Sequence, residues 1–502
     1  MTNQKKLLIR ADASAEIGTG HVMRCIALAE AWQDTIGEVF FVSSFNTQAL
    51  EDRLKIKGIR IRHINNQAGT CSDAEETSQI AHQCGADWIV VDGYHFGAEY
   101  QKTIKDTGLS LLIIDDYGHA DHYYADIVLN QNIYADRSLF KKHEPFTRFL
   151  LGTKFVLLRK EFLKWSGWRR DIPEKARKIL VTLGGGDPDN VTLNVINAIR
   201  GIELNELEVK VVVGSANPHF NLIHETINEK PGITLIKNTD NMPEFMAWAD
   251  IAISAGGTTC YELFFMRVPS IIIPIAENQK PVANELKTKN ITKVVEVNDV
   301  KNQIKFNGLI FEFLNNYKTR SEFSERMAQY IDGKGISRVI NAISCNKITL
   351  RNVKLSDCKQ IWLWINDPVV RSVSFKTNPI SLQDHKEWFF SAVNNPKLVY
   401  YIAEDENATP IGQARFQIEA KEAIISVLVD PEYRGMSLGT SLILDATEKF
   451  FSETGIEKVN ALIKKGNDES WKAFIKAGYV ELGLNNHTIE PLYHLIKHRV
   501  IK

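Results

Sequence analysis

Short runs dense in Val, Ile and Leu recur along the first two thirds of the chain. Each is followed by a longer stretch in which apolar residues return every third or fourth position. The first series reads KLLIR, EVFFVSS, WIVVDGYH, SLLIIDDYG and DIVLNQN. The second reads RKILVTLGGGD, VKVVVGS, ITLIKNT, DIAISAGG, PSIIIPIA and KVVEV. Continuous apolar runs of this length predict strands buried on both faces, and the intervening period predicts helices. Strand–helix alternation makes the sheets parallel. The series break near residues 160–176, at LRKEFLKWSGWRRDIPEKA. That predicts two Rossmann-like domains, residues 1–165 and 166–346, with ligands in a cleft at the strand carboxyl ends.

From about residue 347 the pattern changes. ITLRNVKLSD opens as strand and turn, and a tryptophan-rich helical stretch follows. VYYIAED, PIGQARFQI and AIISVLVDPEYRG then read as antiparallel strands joined by turns such as EDENATP. The remainder reads helix, strand, helix, strand. Residues 347–502 are therefore expected to form a third, α+β domain of ordinary size.

Charge and cysteine content narrow the function classes. The 502 residues hold 60 Lys plus Arg against 61 Asp plus Glu, so no basic field argues for nucleic acid. Six scattered cysteines without a C-x-x-C pair suit a reducing compartment rather than a disulfide frame or zinc site. MTNQKKLLIRAD enters a strand at once and lacks a signal-peptide core. No apolar run approaches the roughly 18 residues that span a membrane. A soluble cytoplasmic protein is expected, with no membrane partner. No His/Asp cluster has metal-ligand spacing, so no metal is expected.

The chemistry concentrates in loops that follow strands. In IGTGHVMRC, Gly18, Thr19 and Gly20 precede a helix that opens with His21 and carries Arg24 one turn on. Glycines let backbone approach a ligand, and a helix N-terminus attracts anions. A tight turn with a capping histidine would read the same way. LGGGDPDN places Gly184, Gly185 and Gly186 after a strand, and SAGGTTCYEL places Gly256, Gly257, Thr258 and Thr259 before a helix bearing Glu262. Their N–H groups and hydroxyls suit a pyrophosphate, and Glu262 suits a ribose diol. Asn278 and Gln279, in PIAENQKP, suit sugar hydroxyls and amides. Asp92, Asp115 and Asp116 end strands, where they can touch a sugar or cap a helix.

IRADASAEIGTGHVMRC, DGYH, IDDYG, LNQN, LLRKEF, LGGGDP, SAGGTT and ENQ occur in this order. Together they resemble the UDP-sugar hydrolases of pseudaminic acid biosynthesis, over roughly residues 5–345. The resemblance implies a glycosyltransferase-B fold and release of UDP from UDP-2,4-diacetamido-2,4,6-trideoxy-β-L-altropyranose. It also implies that His21 is catalytic and that Asn278 is a catalytic or sugar-binding helper. A neutral imidazole at the positive end of a helix can accept the proton of an attacking water. Arg24 either balances ligand charge or lies at the surface. A glycosyltransferase using the same cleft is the rival reading.

VLVDPEYRGMSLGTSLI and NDESWKAFIKAGYVELG resemble the acetyl-CoA-binding core of GCN5-related N-acetyltransferases. That resemblance implies a cofactor site on Val427, Leu428, Val429, Arg434, Gly435, Met436, Ser437, Leu438, Gly439 and Asn467. Two positions depart from the family. Ser437 replaces the first glycine of R-x-x-G-x-G, and Phe474 replaces the tyrosine that often protonates the thiolate. Tyr479 lies five residues on, about 140° around a helix and beyond a glycine, so it is no simple substitute. The fused halves imply that a UDP-4-amino sugar is acetylated and the product then hydrolysed. An acetyl-CoA sensor without turnover is the rival for the third domain.

Overall fold

A computed structural model describes residues 5–12, 20–44, 48–184, 186–202, 207–214, 217–228, 232–237, 239, 241–344, 348–405, 408–436, 438–485 and 491–499. The chain forms two compact units, Met1–Val339 and Ile340–Lys502.

The first unit holds two parallel sheets. One contains β1 (Lys5–Ala11), β2 (Gly37–Ser43), β3 (Arg60–His63), β4 (Trp88–Asp92), β5 (Ser110–Ile114), β6 (Ile127–Asn130) and β7 (Arg148–Leu151), in the order β3-β2-β1-β4-β5-β6-β7. The other contains β8 (Lys178–Thr182), β9 (Glu208–Val213), β10 (Ile233–Lys237), β11 (Ile251–Ala255), β12 (Ser270–Ile273) and β13 (Lys293–Val294), in the order β10-β9-β8-β11-β12-β13. Every apolar run of the two series forms a strand. The inner strands are buried because helices cover both faces, β4 and β11 at all five positions, while the edge strands β10 and β13 are only partly covered. Strand order reverses between β1 and β4, and again between β8 and β11. Crevices open at such switch points, beyond the strand carboxyl ends.

The polar strand β3 and the short β7 escape the apolar pattern. Both are edge strands, and β3 is largely exposed, so neither needs a continuous apolar run.

The second unit has one mixed sheet. It contains β14 (Thr349–Asn352), β15 (Leu398–Glu404), β16 (Pro410–Glu419), β17 (Glu422–Val429), β18 (Lys458–Lys464), β19 (Val480–Asn485) and β20 (Leu492–His498), in the order β14-β15-β16-β17-β18-β20-β19. The sheet ends in two strands, β19 and β20, where the sequence pattern gave one. β17 pairs with β16 along its whole length but with β18 only at Glu422, Ala423 and Ile424. Beyond Ile424 the parallel pair splays, leaving one edge of Val427–Val429 without a strand partner. Helices Cys358–Ile365 and Leu382–Val393 cover one face, through Trp364, Phe389, Tyr400 and Ile402. Helix Leu438–Glu453 covers the other, where Phe450 stacks on Phe416 with centroids 4.2 Å apart. Among the described residues, no helix is long and apolar enough to cross a membrane.

Candidate functional site

His21 lies in the first turn of helix Gly20–Thr35, beside the carboxyl end of β4. Its Nδ1 is 2.5 Å from Oδ1 of Asp92, the last residue of β4. A carboxylate only accepts, so Nδ1 carries the hydrogen, and in the neutral ring Nε2 then has the lone pair. Asp92 is fully buried. Its Oδ1 also accepts from Arg24 Nη2 (2.7 Å), and its Oδ2 from Arg24 Nε (2.7 Å) and Cys25 Sγ (3.4 Å). Arg24 reaches on to Asp116, with Nη1–Oδ1 at 2.9 Å and Nη2–Oδ2 at 3.2 Å. Asp116 accepts further bonds from Tyr94 Oη (2.9 Å) and Asn132 Nδ2 (2.7 Å).

These contacts fix the electrostatics. Burial alone would raise the Asp92 carboxyl, but Arg24 and then His21 outweigh it and hold it well below the usual carboxylate range. Burial would lower Arg24, but Asp116 and Asp92 outweigh it and push it up. Arg24 is therefore a buried structural cation. It is neither a surface residue nor free to balance ligand charge. Asp92, expected to touch substrate, instead orients His21, because both its oxygens are taken. Asp115 accepts N–H groups from Tyr117, Gly118 and His119 and shapes a loop.

The second sheet supplies the facing wall. A Cβ added at Gly20 would lie 3.9 Å from Thr258 Oγ1, so the histidine turn faces the Gly256–Thr259 loop. Tyr94 packs edge-on against the His21 ring, with centroids 4.7 Å apart, and lies beside the exposed side chain of Asn278. His21 and Asn278, 257 positions apart in sequence, are thus gathered around one tyrosine. Tyr261 Oη donates to Asn132 Oδ1 at 2.9 Å, a bond between the two halves.

Three expected ligand groups are otherwise employed. Glu262 takes two bonds from Arg159, at 2.7 and 3.0 Å, so its carboxylate ties the halves together. Gln279 Oε1 accepts from the amides of Gly256 and Ile275, both at 3.0 Å, and braces the glycine loop. Its Cβ would lie 3.0 Å from a Cβ at Gly256, which explains that glycine. Asp187 accepts from the amides of Val191 and Thr192, so the helix after Gly184 and Gly186 is capped by its own carboxylate. The amides that open this helix are therefore taken by Asp187. Helix Thr259–Phe265 has no side-chain cap, so the amides that open it are not taken by a capping side chain. Gly18, Thr19, Gly185 and Ser437 lie outside the described residues.

The sequence reading missed Tyr94, Asn132, Arg159 and Tyr261 as site residues. The first three sit inside the strings DGYH, LNQN and LLRKEF, where their types gave the only signal. A wider recess at the opposite end of β2, around Asp34, Gly37, Glu38 and Arg60, holds none of these groups.

In the second unit the splay exposes β17 beside helix Leu438–Glu453. A Cβ at Gly439 would meet Val429 Cγ2 at 3.8 Å, so that helix begins at the open end of the gap. Arg434 bonds Val429 O (3.1 Å) and Asp367 (2.6 Å), anchoring the turn, while its buried Nη2 has no partner among the described residues. Gly435 has φ of 78°, which favours glycine. Leu428, Met436 and Leu438 are buried, so only their backbone can serve a cofactor. Asn467 caps helix Asp468–Lys476 through Ser470 N. Phe474 is buried edge-on against Tyr479, whose hydroxyl bonds Thr447 at 2.8 Å. Burial raises the Tyr479 phenol, so it is a poor proton donor.

Residues 179–332 match the glycosyltransferase family 28 C-terminal domain, and residues 347–480 match the acetyltransferase (GNAT) domain. A protein of Methanocaldococcus jannaschii named uncharacterized protein MJ1062 is 25% identical over 499 residues, covering 94% of this chain and 96% of its own. The spore coat polysaccharide biosynthesis protein SpsG of Bacillus subtilis is 26% identical over 341 residues, 66% of this chain and 95% of that protein. The UDP-2,4-diacetamido-2,4,6-trideoxy-β-L-altropyranose hydrolase of Campylobacter jejuni is 24% identical over 288 residues, 57% of this chain and 97% of the hydrolase. Both resemblances drawn from the motifs are thus matched, each on its own part of the chain.

Proposed function

We propose that the chain joins two consecutive activities on one class of compound. The second unit transfers acetyl from acetyl-CoA to the 4-amine of a UDP-linked 4-amino-4,6-dideoxy sugar. The first unit hydrolyses the product, UDP-2,4-diacetamido-2,4,6-trideoxy-β-L-altropyranose. The observation that carries the reading is the Asp92–His21 pair, set at a switch point and facing the Gly256–Thr259 loop of a domain matched to a glycosyltransferase family. The name of the Campylobacter relative supports the substrate.

In the hydrolysis, water oxygen bonds to the anomeric carbon as the carbon–oxygen bond to UDP breaks. The water proton passes to His21 Nε2, and the bond pair leaves with the diphosphate. Asp92 holds the tautomer that makes Nε2 the acceptor. Backbone N–H groups of the Gly256–Thr259 loop stabilise the growing phosphate charge, and Asn278 meets the sugar beside Tyr94. In the acetyl transfer, the neutral amine attacks the thioester carbon and the carbon–sulfur bond breaks. One ammonium proton is then lost and the thiolate takes one up. N–H groups of β17 beyond Ile424 face the carbonyl oxygen. A thiol with pKa of roughly 8.5 leaves without a strong acid, so Phe474 slows the step without abolishing it.

Incubation of the full chain with the UDP-diacetamido sugar tests the first activity. UDP and free sugar should appear in equal amounts. His21→Ala should lose on the order of 10²–10⁴ in turnover while still binding UDP. The glycosyltransferase family match favours one rival, sugar transfer to an acceptor; no free sugar without an added acceptor would select it.

A further inference from the structure

The face of the third sheet that carries helices Cys358–Ile365 and Leu382–Val393 holds a cation without a counter-charge. Arg415 on β16 pairs in register with Tyr400 on β15 and Ser426 on β17. Directly opposed residues point to the same side of a sheet, and Tyr400 lies under Phe389 of helix Leu382–Val393. The Arg415 guanidinium is 5.1 Å from the ring centroid of Trp388, which is 41% exposed. Among the described residues Arg415 makes no hydrogen bond or ion pair. Several carboxylates of this unit are committed elsewhere. Glu422 holds Lys458 and Asn460, Glu404 and Asp357 hold Arg351, and Asp430 holds Trp364. Burial lowers the Arg415 pKa, the mark of a charge taken from water without compensation.

Its position gives the uncompensated charge a use. Ser426 stands opposite Arg415, with Cα atoms about 5 Å apart. It is exposed and lies two residues past Ile424, where β17 parts from β18. Arg415 therefore sits beside the gap in which the amine meets the thioester. Helix Leu438–Glu453, whose start is the expected pyrophosphate site of the cofactor, packs on the other face. The guanidinium is thus directed to the acceptor. Its planar fork matches phosphate oxygens in pairs.

We infer that Arg415, on its Trp388 platform, is the subsite for the phosphate-bearing part of the acetyl acceptor. With the 4-amine in the β17 gap, the diphosphate lies one sugar ring away and supplies the missing negative charge. This rests on the reading that the second unit acetylates a nucleotide-linked amino sugar.

The full chain is assayed at saturating acetyl-CoA with the UDP-linked 4-amino sugar and with the same sugar lacking the nucleotide. Arg415→Gln should raise KM for the UDP-linked acceptor by roughly 10- to 100-fold, the range for charge-assisted bonds. KM for acetyl-CoA and for the nucleotide-free sugar should stay unchanged, and Arg415→Lys should fall between. In hydrogen exchange, UDP should protect β16 and helix Leu382–Val393 in the wild type and not in Arg415→Gln. A wild type that acetylates neither sugar overturns the acetylation reading alone; the subsite is then decided by the UDP protection. A KM within two-fold of wild type, or equal protection in both proteins, overturns the subsite.

Discussion

Asp92→Asn isolates what the buried carboxylate does for His21. Oδ1 serves His21 Nδ1 and Arg24 Nη2, and Oδ2 serves Arg24 Nε and Cys25 Sγ. An amide must turn its NH₂ toward one of these pairs, and each pair includes a donor of Arg24. In either orientation Arg24 loses a charge-assisted bond, worth about 2 kcal/mol in a fully buried site. The first unit spans residues 1–339, and unfolding entropy of roughly 2.1 cal/mol/K per residue makes that a Tm drop of about 3 °C. The catalytic effect is far larger. With the NH₂ toward His21, Nδ1 becomes the acceptor and the hydrogen moves to Nε2, the atom meant to take the water proton. Turnover should fall on the order of 10²–10⁴. UDP affinity should hold within about three-fold, because both Asp92 oxygens are held by His21, Arg24 and Cys25. UDP release followed by a coupled assay, with titration of UDP into the same protein, reads both. Activity within ten-fold of wild type would refute the tautomer argument; a loss confined to KM would make Asp92 a binding residue.

Three further outcomes are expected. Gln279→Ala strips the acceptor from the Gly256 and Ile275 amides, so UDP binding should weaken by roughly 1–3 kcal/mol with little change in kcat; calorimetry showing unaltered affinity would contradict the bracing role. Phe474→Tyr adds a hydroxyl to a buried ring packed on Tyr479 and should cost about 1–3 kcal/mol of stability without faster acetyl transfer; a faster enzyme with undiminished Tm would show that the position is a vacant acid site. The Asp92 carboxyl is depressed on folding by Arg24 and His21 against the effect of burial, so its stabilisation is complete above the unfolded value of roughly 3.9 and is lost as pH falls below it; Tm should drop in acid more steeply for wild type than for Asp92→Asn, and parallel curves would deny the linkage.

The two parallel sheets were legible because strands buried on both faces leave an unbroken apolar run, as β4 and β11 do. β3, with the sequence RIRH, was not, because an edge strand needs only backbone bonds. His21 was legible from the glycines before it. Its partners were not, since Asp92 lies 71 positions away and a strand-end aspartate serves equally as cap, ligand or anchor. Gln279 and Glu262 were read as ligand groups for the same reason. A polar side chain at a loop can face a substrate or brace the loop, and only the distances to Gly256 and Arg159 decide. Arg415 carried no signal, because a charged residue in an alternating strand reads as solvent-facing.

The parting of β17 from β18 has a consequence for the life of the protein as well as its chemistry. Four strands on one side and three on the other are stitched directly by only three residue pairs. The extended arm of acetyl-CoA, lying in the gap, would act as the missing stretch of strand and clamp the two parts. A ligand held at a hundred times its Kd adds about 2.7 kcal/mol to folding, a large share of what a domain this size possesses. Starved of acetyl-CoA, the second unit would open more often and meet proteases more often. The abundance of the protein would then follow the acetyl supply of the cell.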